Sequence, residues 1–250
     1  MYSILEHYLS TNHILMIGMI VTFILTFFLL EHPFSFLPSD QGRAFAVNGS
    51  LSKGKLRGVG FIFVLCFLIS SVLFLPLDVE YVIYGILLFA MMISGYLDDA
   101  SKTPWNEYKK GLIDLVISVV AVLTYMNFNS TTICFGADEI VIPKALFLIL
   151  GVILIWVSVN VTNCTDGVDG LCASLCSVTL LAFGVLFAPI LQKYAMANFL
   201  FLSVLFAYLY FNSSPSSMLM GDAGSRALGF YIAVIALKST HPFIYILLAA

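Results

Sequence analysis

The stretch YVIYGILLFAMMISGYL, residues 81–97, is an apolar run that ends directly at two aspartates, Asp98 and Asp99. An α-helix needs about 20 predominantly apolar residues to cross the hydrocarbon core of a bilayer. Comparable runs lie on both sides of this one, near Ile14–Leu30, Val59–Leu77, Leu112–Phe128, Ala145–Val161, Leu171–Ile190, Ala195–Phe211 and Ala227–Leu237. The sequence therefore predicts eight complete membrane spans, followed by a truncated ninth that begins at about Pro242 and stops at Ala250.

The composition also indicates a membrane protein. Of the 250 residues, 61% are hydrophobic and 10% are charged, and the mean hydropathy is +1.03. Soluble domains contain about 45–50% apolar and about 25% charged residues, and a soluble globule with so few charges would expose large apolar patches. These values argue against a cytosolic enzyme, a nucleic-acid-binding protein, a disordered chain and a secreted disulfide scaffold.

We therefore predict an all-α fold, a polytopic membrane helix bundle surrounded by lipid. Residues 1–250 are expected to form a single integral-membrane domain that lacks the C-terminal part of a longer fold. A strand-like patch at Thr131–Ile142 predicts a small extracytoplasmic β-hairpin.

The scarce charges are distributed unequally between the two sides of the membrane. Eight spans divide the loops into two alternating sets, and eight of the eleven lysines and arginines fall in one set: Arg43, Lys53, Lys55, Arg57, Lys102, Lys109, Lys110 and Arg226. The positive-inside rule makes this set cytoplasmic and places the N-terminus outside. The aspartates of three short motifs belong to the same side: Asp98, Asp99, Asp166, Asp169 and Asp222. The acids of the other side are expected to be ordinary exposed loop charges: Asp78, Glu80, Asp138 and Glu139.

The first acid-bearing motif, Gly95–Lys102, closes the run at residues 81–97. The adjacent carboxylates of Asp98 and Asp99 repel each other unless a cation or a proton lies between them. Mg²⁺ prefers carboxylates combined with substrate phosphates, and Lys102 can meet a phosphate as a point charge. A solvated helix end is the alternative interpretation.

Two further motifs lie on the same predicted side. Asn160–Gly170 contains Asn163, Asp166 and Asp169, which supply donors and acceptors in a turn; a capped turn between helices is the alternative. Met220–Arg226 leads into a helix, and its members Gly221, Asp222 and Ser225 suit a phosphate or metal site near backbone N–H groups or, alternatively, a helix cap.

A basic segment, Ser52–Gly58, has two interpretations. It can hold a phosphate, with Lys53 as the candidate contact, or it can only mark the cytoplasmic side, and the second interpretation is favoured.

Together the motifs predict Mg²⁺-assisted chemistry on a phosphate ester at the cytoplasmic interface, because they combine carboxylates with basic residues and contain no Cys/His ligand set. Transporters usually carry ionisable groups at mid-membrane depth, and no clear example is found here. An enzyme is therefore favoured over a transporter or a lipid-binding scaffold.

At these residues the sequence resembles the polyprenyl-phosphate N-acetylhexosamine-1-phosphate transferases (glycosyltransferase family 4). The resemblance rests on Asp-Asp-x-x-Lys at residues 98–102, Asn-x-x-Asn-x-Thr-Asp-Gly-x-Asp-Gly-Leu at residues 160–171 and Gly-Asp-x-Gly-Ser-x-Ala-Leu-Gly at residues 221–229. The threonine before Asp166, Thr165, resembles the pattern of the muramoyl-pentapeptide branch more than that of the GlcNAc-1-phosphate branch.

The resemblance implies a bacterial inner-membrane enzyme with ten helices and an outward N-terminus. Its substrates would be UDP-linked MurNAc-pentapeptide and undecaprenyl phosphate, and its products lipid I and UMP. Transfer of GlcNAc-1-phosphate is the alternative, and either reaction can proceed in one step or through an aspartyl intermediate. Family members often pair as homodimers.

The resemblance also implies roles for individual residues. Asp98 would be the base for the lipid phosphate, and Asp99 and Lys102 would support the phosphates. Asp222 would bind Mg²⁺. The nucleotide pocket would be lined by Asn163, Asp166 and Asp169, the last accepting from the uracil N–H.

The sequence departs from the family pattern in three places. It ends before the family's His-rich loop and tenth helix, so an inactive truncated relative is a further alternative. The family's Gly-Thr-Pro-Thr-Met-Gly-Gly-like segment is replaced at Gly54–Gly60 by Gly-Lys-Leu-Arg-Gly-Val-Gly. Leu219 stands where the muramoyl branch often has an aromatic residue that stacks on the base, and we expect this replacement to weaken nucleotide binding.

Overall fold

The computed structural model describes residues 1–249 except residues 33, 41, 43–51, 102, 104 and 137. Within these residues the chain forms ten helices and one hairpin. The helices are α1 (Tyr2–Leu5), α2 (Thr11–Glu31), α3 (Gly60–Phe74), α4 (Val79–Asp99), α5 (Glu107–Phe128), α6 (Lys144–Thr165), α7 (Leu171–Leu186), α8 (Gln192–Asn212), α9 (Gly221–Lys238) and α10 (Pro242–Ala249). The strands are β1 (Thr132–Phe135) and β2 (Asp138–Val141).

The predicted polytopic helical fold is confirmed. Each of the eight predicted apolar runs forms a helix, from α2 to α9. Five of them, α2, α4, α5, α6 and α8, are long and apolar enough to cross a membrane, whereas α3 and α7 are apolar but contain only 15 and 16 residues. The predicted hairpin also forms, with β1 and β2 antiparallel and Ile133 opposite Ile140.

Helix α9 differs most from its prediction. It begins at Gly221 and not at Ala227, because the motif around Asp222 forms its first turns instead of a loop. Every residue of α9 is buried, since the helix lies in the centre of the bundle against α4, α6 and α3. Its charged side chains therefore face other helices.

Small residues allow α9 to approach its neighbours closely. A Cβ atom on Gly95 of α4 would lie 2.3 Å from the carbonyl oxygen of Asp222, and one on Gly60 of α3 would lie 2.1 Å from the backbone nitrogen of Gly224. These distances are far below van der Waals contact, so α4 and α3 can meet the first turns of α9 only through glycine.

A buried ion pair joins the helices at the opposite end of α9. Lys238 Nζ lies 2.9 Å from Glu80 Oε2 and 2.7 Å from Asn129 Oδ1. The side chains of Lys238 and Glu80 are only 7% and 10% exposed, so the expectation that Glu80 is an exposed loop charge is wrong. Its carboxylate can be buried because it pairs with Lys238, and the pair joins the start of α4 to the end of α9.

Candidate active site

The antiparallel packing of α4 on α9 brings three of the predicted aspartates together. Asp98 and Asp99 end α4, and Asp222 lies in the first turn of α9. Asp99 Oδ2 accepts a hydrogen bond of 3.1 Å from the backbone N–H of Ala223. The carboxylate of Asp99 thus binds the N-terminus of α9, where the free N–H groups and the helix dipole favour negative charge.

Gly221 has a structural role in this contact. Its φ is +65°, a conformation that residues with a side chain rarely adopt. A Cβ atom there would lie 2.3 Å from Asp99 Oδ2. Gly221 therefore provides the space that the carboxylate of Asp99 occupies.

Two cations lie between the three aspartates, and both were missed as site residues in the sequence. Arg57 Nε lies 2.8 Å from Asp99 Oδ1, and Arg57 Nη2 lies 3.4 Å from Asp222 Oδ1. Lys110 Nζ lies 2.7 Å from Asp98 Oδ2 and 3.3 Å from Asp222 Oδ2. The carboxylate of Asp222 is thus bracketed by a guanidinium on one oxygen and an ammonium on the other.

A fourth carboxylate, Asp40, approaches Arg57 from the other side. Asp40 Oδ1 lies 3.4 Å from Arg57 Nη1, and Asp40 Oδ2 accepts from Ser52 Oγ at 2.5 Å. Burial lowers the pKa of Arg57, but the negative charges of Asp99 and Asp222 outweigh it and raise the pKa above its usual value. Arg57 therefore remains charged at any physiological pH.

Asp98 is held by its own set of donors. Its Oδ1 accepts a 2.7 Å hydrogen bond from the backbone N–H of Trp105, and its Oδ2 pairs with Lys110.

A second ion pair lies deeper in the bundle. Arg226 pairs with Asp114, and both side chains are almost fully buried. Asp114 and Arg226 follow Lys110 and Asp222 by four residues on their helices, so this pair supports the site from one turn deeper.

An open cleft of about 400 Å³ leads to these charges. The cleft is lined by Arg57, Asp98, Asp99 and Lys110, together with Asp40 and its neighbours Pro38 and Ser39. Its volume lies in the range of small-molecule sites, and its wall combines carboxylates with cations.

The second predicted group, Asn163, Asp166 and Asp169, lies where α6 ends and α7 begins. Asp169 Oδ2 accepts a 3.0 Å hydrogen bond from the N–H of Ser216 and lies 3.8 Å from Lys55 Nζ. Partial burial raises the pKa of Asp169, but the donors on Ser216 and Lys55 outweigh it and hold the pKa below its usual value. Asp169 is therefore ionised at neutral pH.

The basic segment connects the two groups of acids. Leu56 forms β-bridges with Ser39 and with Met218, so the backbone around it is extended. Side chains two residues apart in an extended chain point to the same side, and Lys55 reaches Asp169 while Arg57 reaches Asp99 and Asp222. The Lys-x-Arg alternation is the sequence signal that could have identified both residues.

Three other predicted site residues are not placed at the cleft: two lie away from its wall, and one is outside the described residues. Lys53 is exposed at the turn before Lys55, so the structure brings Lys55 and Arg57, not Lys53, to the aspartates. Ser225 is fully buried and donates a 3.0 Å hydrogen bond to the carbonyl of Gly221 inside α9. Its hydroxyl therefore supports the helix and not the cleft wall. Lys102 lies outside the described residues.

Comparison with known proteins gives consistent matches along the chain. The profile described as glycosyl transferase family 4 matches residues 81–240. The phospho-N-acetylmuramoyl-pentapeptide-transferase of Treponema pallidum (strain Nichols) is 35% identical to this chain, over 92% of the chain and 70% of the relative. Proteins of the same name in Halalkalibacterium halodurans and Microcystis aeruginosa are 28% and 31% identical, over 95% and 73% of this chain and 78% and 53% of the relatives.

Proposed function

Because this chain belongs to glycosyl transferase family 4, we propose that it transfers phospho-MurNAc-pentapeptide from a UDP carrier to undecaprenyl phosphate, forming lipid I and UMP. The observation that carries the proposal is the convergence of Asp98, Asp99 and Asp222 on Arg57 and Lys110. The two cations line one cleft together with Asp98 and Asp99. The relatives' names favour the muramoyl-pentapeptide donor over the GlcNAc-1-phosphate alternative.

The proposed location is a bacterial plasma membrane, with the cleft on the cytoplasmic face and the N-terminus outside. Lys55, Arg57 and Lys110 gather at the end of the bundle where α4 ends and α9 begins. An excess of Lys and Arg is characteristic of cytoplasmic loops. The soluble UDP donor would reach the cleft from that side.

The proposed chemistry is a direct displacement at phosphorus. An oxygen of the lipid phosphate attacks the phosphorus that is bonded to the sugar, a new P–O bond forms, and the P–O bond to the uridine phosphate breaks. UMP leaves with the bonding electrons. Asp98 is the proposed base that takes a proton from the lipid phosphate, because Trp105 and Lys110 fix its carboxylate at the wall of the cleft.

We propose Mg²⁺ as the cofactor, with Asp222 as a ligand, because the donors gathered here are carboxylates. Among the described residues no three of them converge as a preformed metal site, since Arg57 and Lys110 lie between them. Asp40, Asp98, Asp99 and Asp222 contribute four carboxylates against the two cations Arg57 and Lys110. Mg²⁺ prefers oxygen ligands and is usually held by one or two carboxylates together with substrate phosphates. When bound, Mg²⁺ would neutralise charge on the diphosphate.

Removal of divalent metal should therefore stop the reaction. Excess EDTA is expected to reduce lipid I formation to background, and added Mg²⁺ should restore it. Binding of Mn²⁺ to the purified protein, followed by electron paramagnetic resonance, should weaken in Asp222→Asn and persist in Asp138→Asn, which alters an exposed residue of the hairpin. Undiminished turnover in excess EDTA would contradict the proposal.

A competition between donors tests the function itself. Purified protein in nanodiscs is given undecaprenyl phosphate with UDP-MurNAc-pentapeptide and UDP-GlcNAc, each with a different radiolabel. We expect the muramoyl label to enter the lipid fraction while UMP is released. Label from UDP-GlcNAc in the lipid would support the alternative transferase, and the absence of any labelled lipid would overturn the proposed activity.

A further inference from the structure

Arg57 is positioned by its backbone independently of its ion pairs. Its N–H donates to the carbonyl of Pro38 at 2.9 Å, and the preceding residue, Leu56, bridges to both Ser39 and Met218. The segment is thus fixed from two sides, by the chain that follows α2 and by the chain that precedes α9. The guanidinium is delivered to the cleft by this framework, and it does not depend on an aspartate to bring it there.

The guanidinium is held firmly at one nitrogen and loosely at the other two. The Nε–Asp99 distance is 2.8 Å, whereas the distances from Nη1 to Asp40 and from Nη2 to Asp222 are both 3.4 Å. Charge-assisted N–H···O bonds are usually about 2.7–2.9 Å long. The two terminal nitrogens therefore make longer contacts than Nε does. A guanidinium has five N–H donors, so Nη1 and Nη2 keep donors beyond these contacts while Nε fixes the plane of the group.

The side chain is also accessible to a ligand. The Arg57 side chain is 28% exposed, against 0% for Asp99 and 10% for Asp222, and it lines the cleft. Lys110, the other cation, is 17% exposed and is engaged by Asp98 and Asp222. Arg57 is thus the cation of this group that presents most of its surface to the cleft.

We propose that Arg57 is a phosphate-binding residue of this cleft, with Nη1 and Nη2 donating to two oxygens of a substrate phosphate while Nε stays on Asp99. The planar fork of a guanidinium matches two phosphate oxygens, which a lysine ammonium cannot do. The phosphate belongs to the UDP donor or to the lipid acceptor. The inference rests on the proposed function for the identity of these two ligands. Of the two interpretations of Ser52–Gly58, it favours the phosphate contact, with Arg57 in place of Lys53.

Direct binding measurements without turnover test this role. UDP and undecaprenyl phosphate are titrated separately into the protein in nanodiscs by isothermal calorimetry, with wild type, Arg57→Ala and Arg57→Lys. We expect both substitutions to weaken binding of at least one probe by about 10- to 100-fold, because two charge-assisted hydrogen bonds are lost or replaced by a single point contact. A loss confined to UDP assigns the donor, and a loss confined to undecaprenyl phosphate assigns the acceptor.

Two comparisons separate phosphate binding from a purely structural role. If Arg57 only neutralised the aspartates, Arg57→Lys would restore affinity, and that result would overturn the proposal. Lys109→Ala removes a positive charge from the same face but from a side chain that lies over the Trp105 ring at 3.3 Å; it should bind both probes like wild type.

The remaining outcomes are also decisive. Thermal unfolding identifies variants that fail to fold, and Arg57→Gln then replaces Arg57→Ala because it retains a polar side chain of similar length. Wild-type affinity for both probes in a folded Arg57→Ala or Arg57→Gln would overturn the inference. It would also be overturned if the unsubstituted protein bound neither UDP nor undecaprenyl phosphate. Arginine-dependent UDP binding without lipid I formation would retain the inference and overturn the proposed function.

Discussion

Asp222→Asn is expected to lower turnover by about 100- to 1000-fold, the range typical for loss of one preorganised charge-stabilising group. Asp222 Oδ1 faces Arg57 at 3.4 Å, and its Oδ2 faces Lys110 at 3.3 Å. Asparagine has almost the same shape but no charge, and its amide would point hydrogens at one of these cations. The substitution therefore removes the carboxylate that Arg57 and Lys110 share, along with the proposed Mg²⁺ ligand, without creating a cavity.

The measurement is lipid I formation per folded protein, with thermal unfolding recorded in parallel. Asp138→Asn in β2 is the matched control, because it makes the same chemical change at an exposed residue of the hairpin. The hairpin bonds to Thr240, beyond the end of α9 opposite Asp222. We expect control turnover to equal that of wild type. Turnover of Asp222→Asn within a few-fold of wild type would remove Asp222 from the proposed site.

Gly95→Ala should reduce both stability and turnover, although it adds only one methyl group. The new Cβ atom would lie 2.3 Å from the carbonyl oxygen of Asp222 and 2.4 Å from its carbonyl carbon. Overpacking a close-packed interior costs about 1–3 kcal/mol, and a backbone carbonyl cannot rotate away as a side chain can. Helices α4 and α9 must then separate where Asp98 and Asp99 face Asp222, so activity should fall even in the fraction that folds.

Gly85→Ala on the same helix is the control for this substitution. A Cβ atom at Gly85 would approach nothing closer than 3.8 Å, the distance to Leu68 Cδ2. Alanine is the better helix former, by about 1 kcal/mol, so this variant should unfold at the wild-type temperature or above it. Equal thermal unfolding and equal turnover for Gly95→Ala and Gly85→Ala would refute the argument from close packing.

The helices and the hairpin could be predicted from the sequence because their signals are local. Length and apolarity specify where a chain can form a buried helix, and each predicted run is found as a helix. The start of α9 was misplaced because Asp222 and Arg226 resemble loop residues when only hydropathy is considered. Their burial is possible because neighbouring helices supply Lys110 and Asp114 as partners.

The candidate site shows the same difference between signals that are local in sequence and contacts that form only in the fold. Asp98, Asp99 and Asp222 were identifiable because each lies in a distinct short motif. The Lys-x-Arg alternation could have indicated Arg57, but neither its partners nor Lys110 could be predicted. Arg57 and Lys110 become neighbours of these acids only when the segment before α3 and the start of α5 pack beside α4 and α9. Nothing in the local sequence around Glu80 indicates that Lys238, far along the chain, will pair with it.

By itself, then, the sequence determined that this chain is a helical membrane protein and which aspartates lie at the same end of the helix bundle. Hydropathy and charge are properties of short segments, so both can be recognised without the fold. Only the tertiary structure decided which cations stand between those aspartates. Ion pairs depend on distances of 3–4 Å between residues remote in sequence, and here such distances are set by the glycine-mediated contact of α4 with α9 and by the extended segment that carries Arg57.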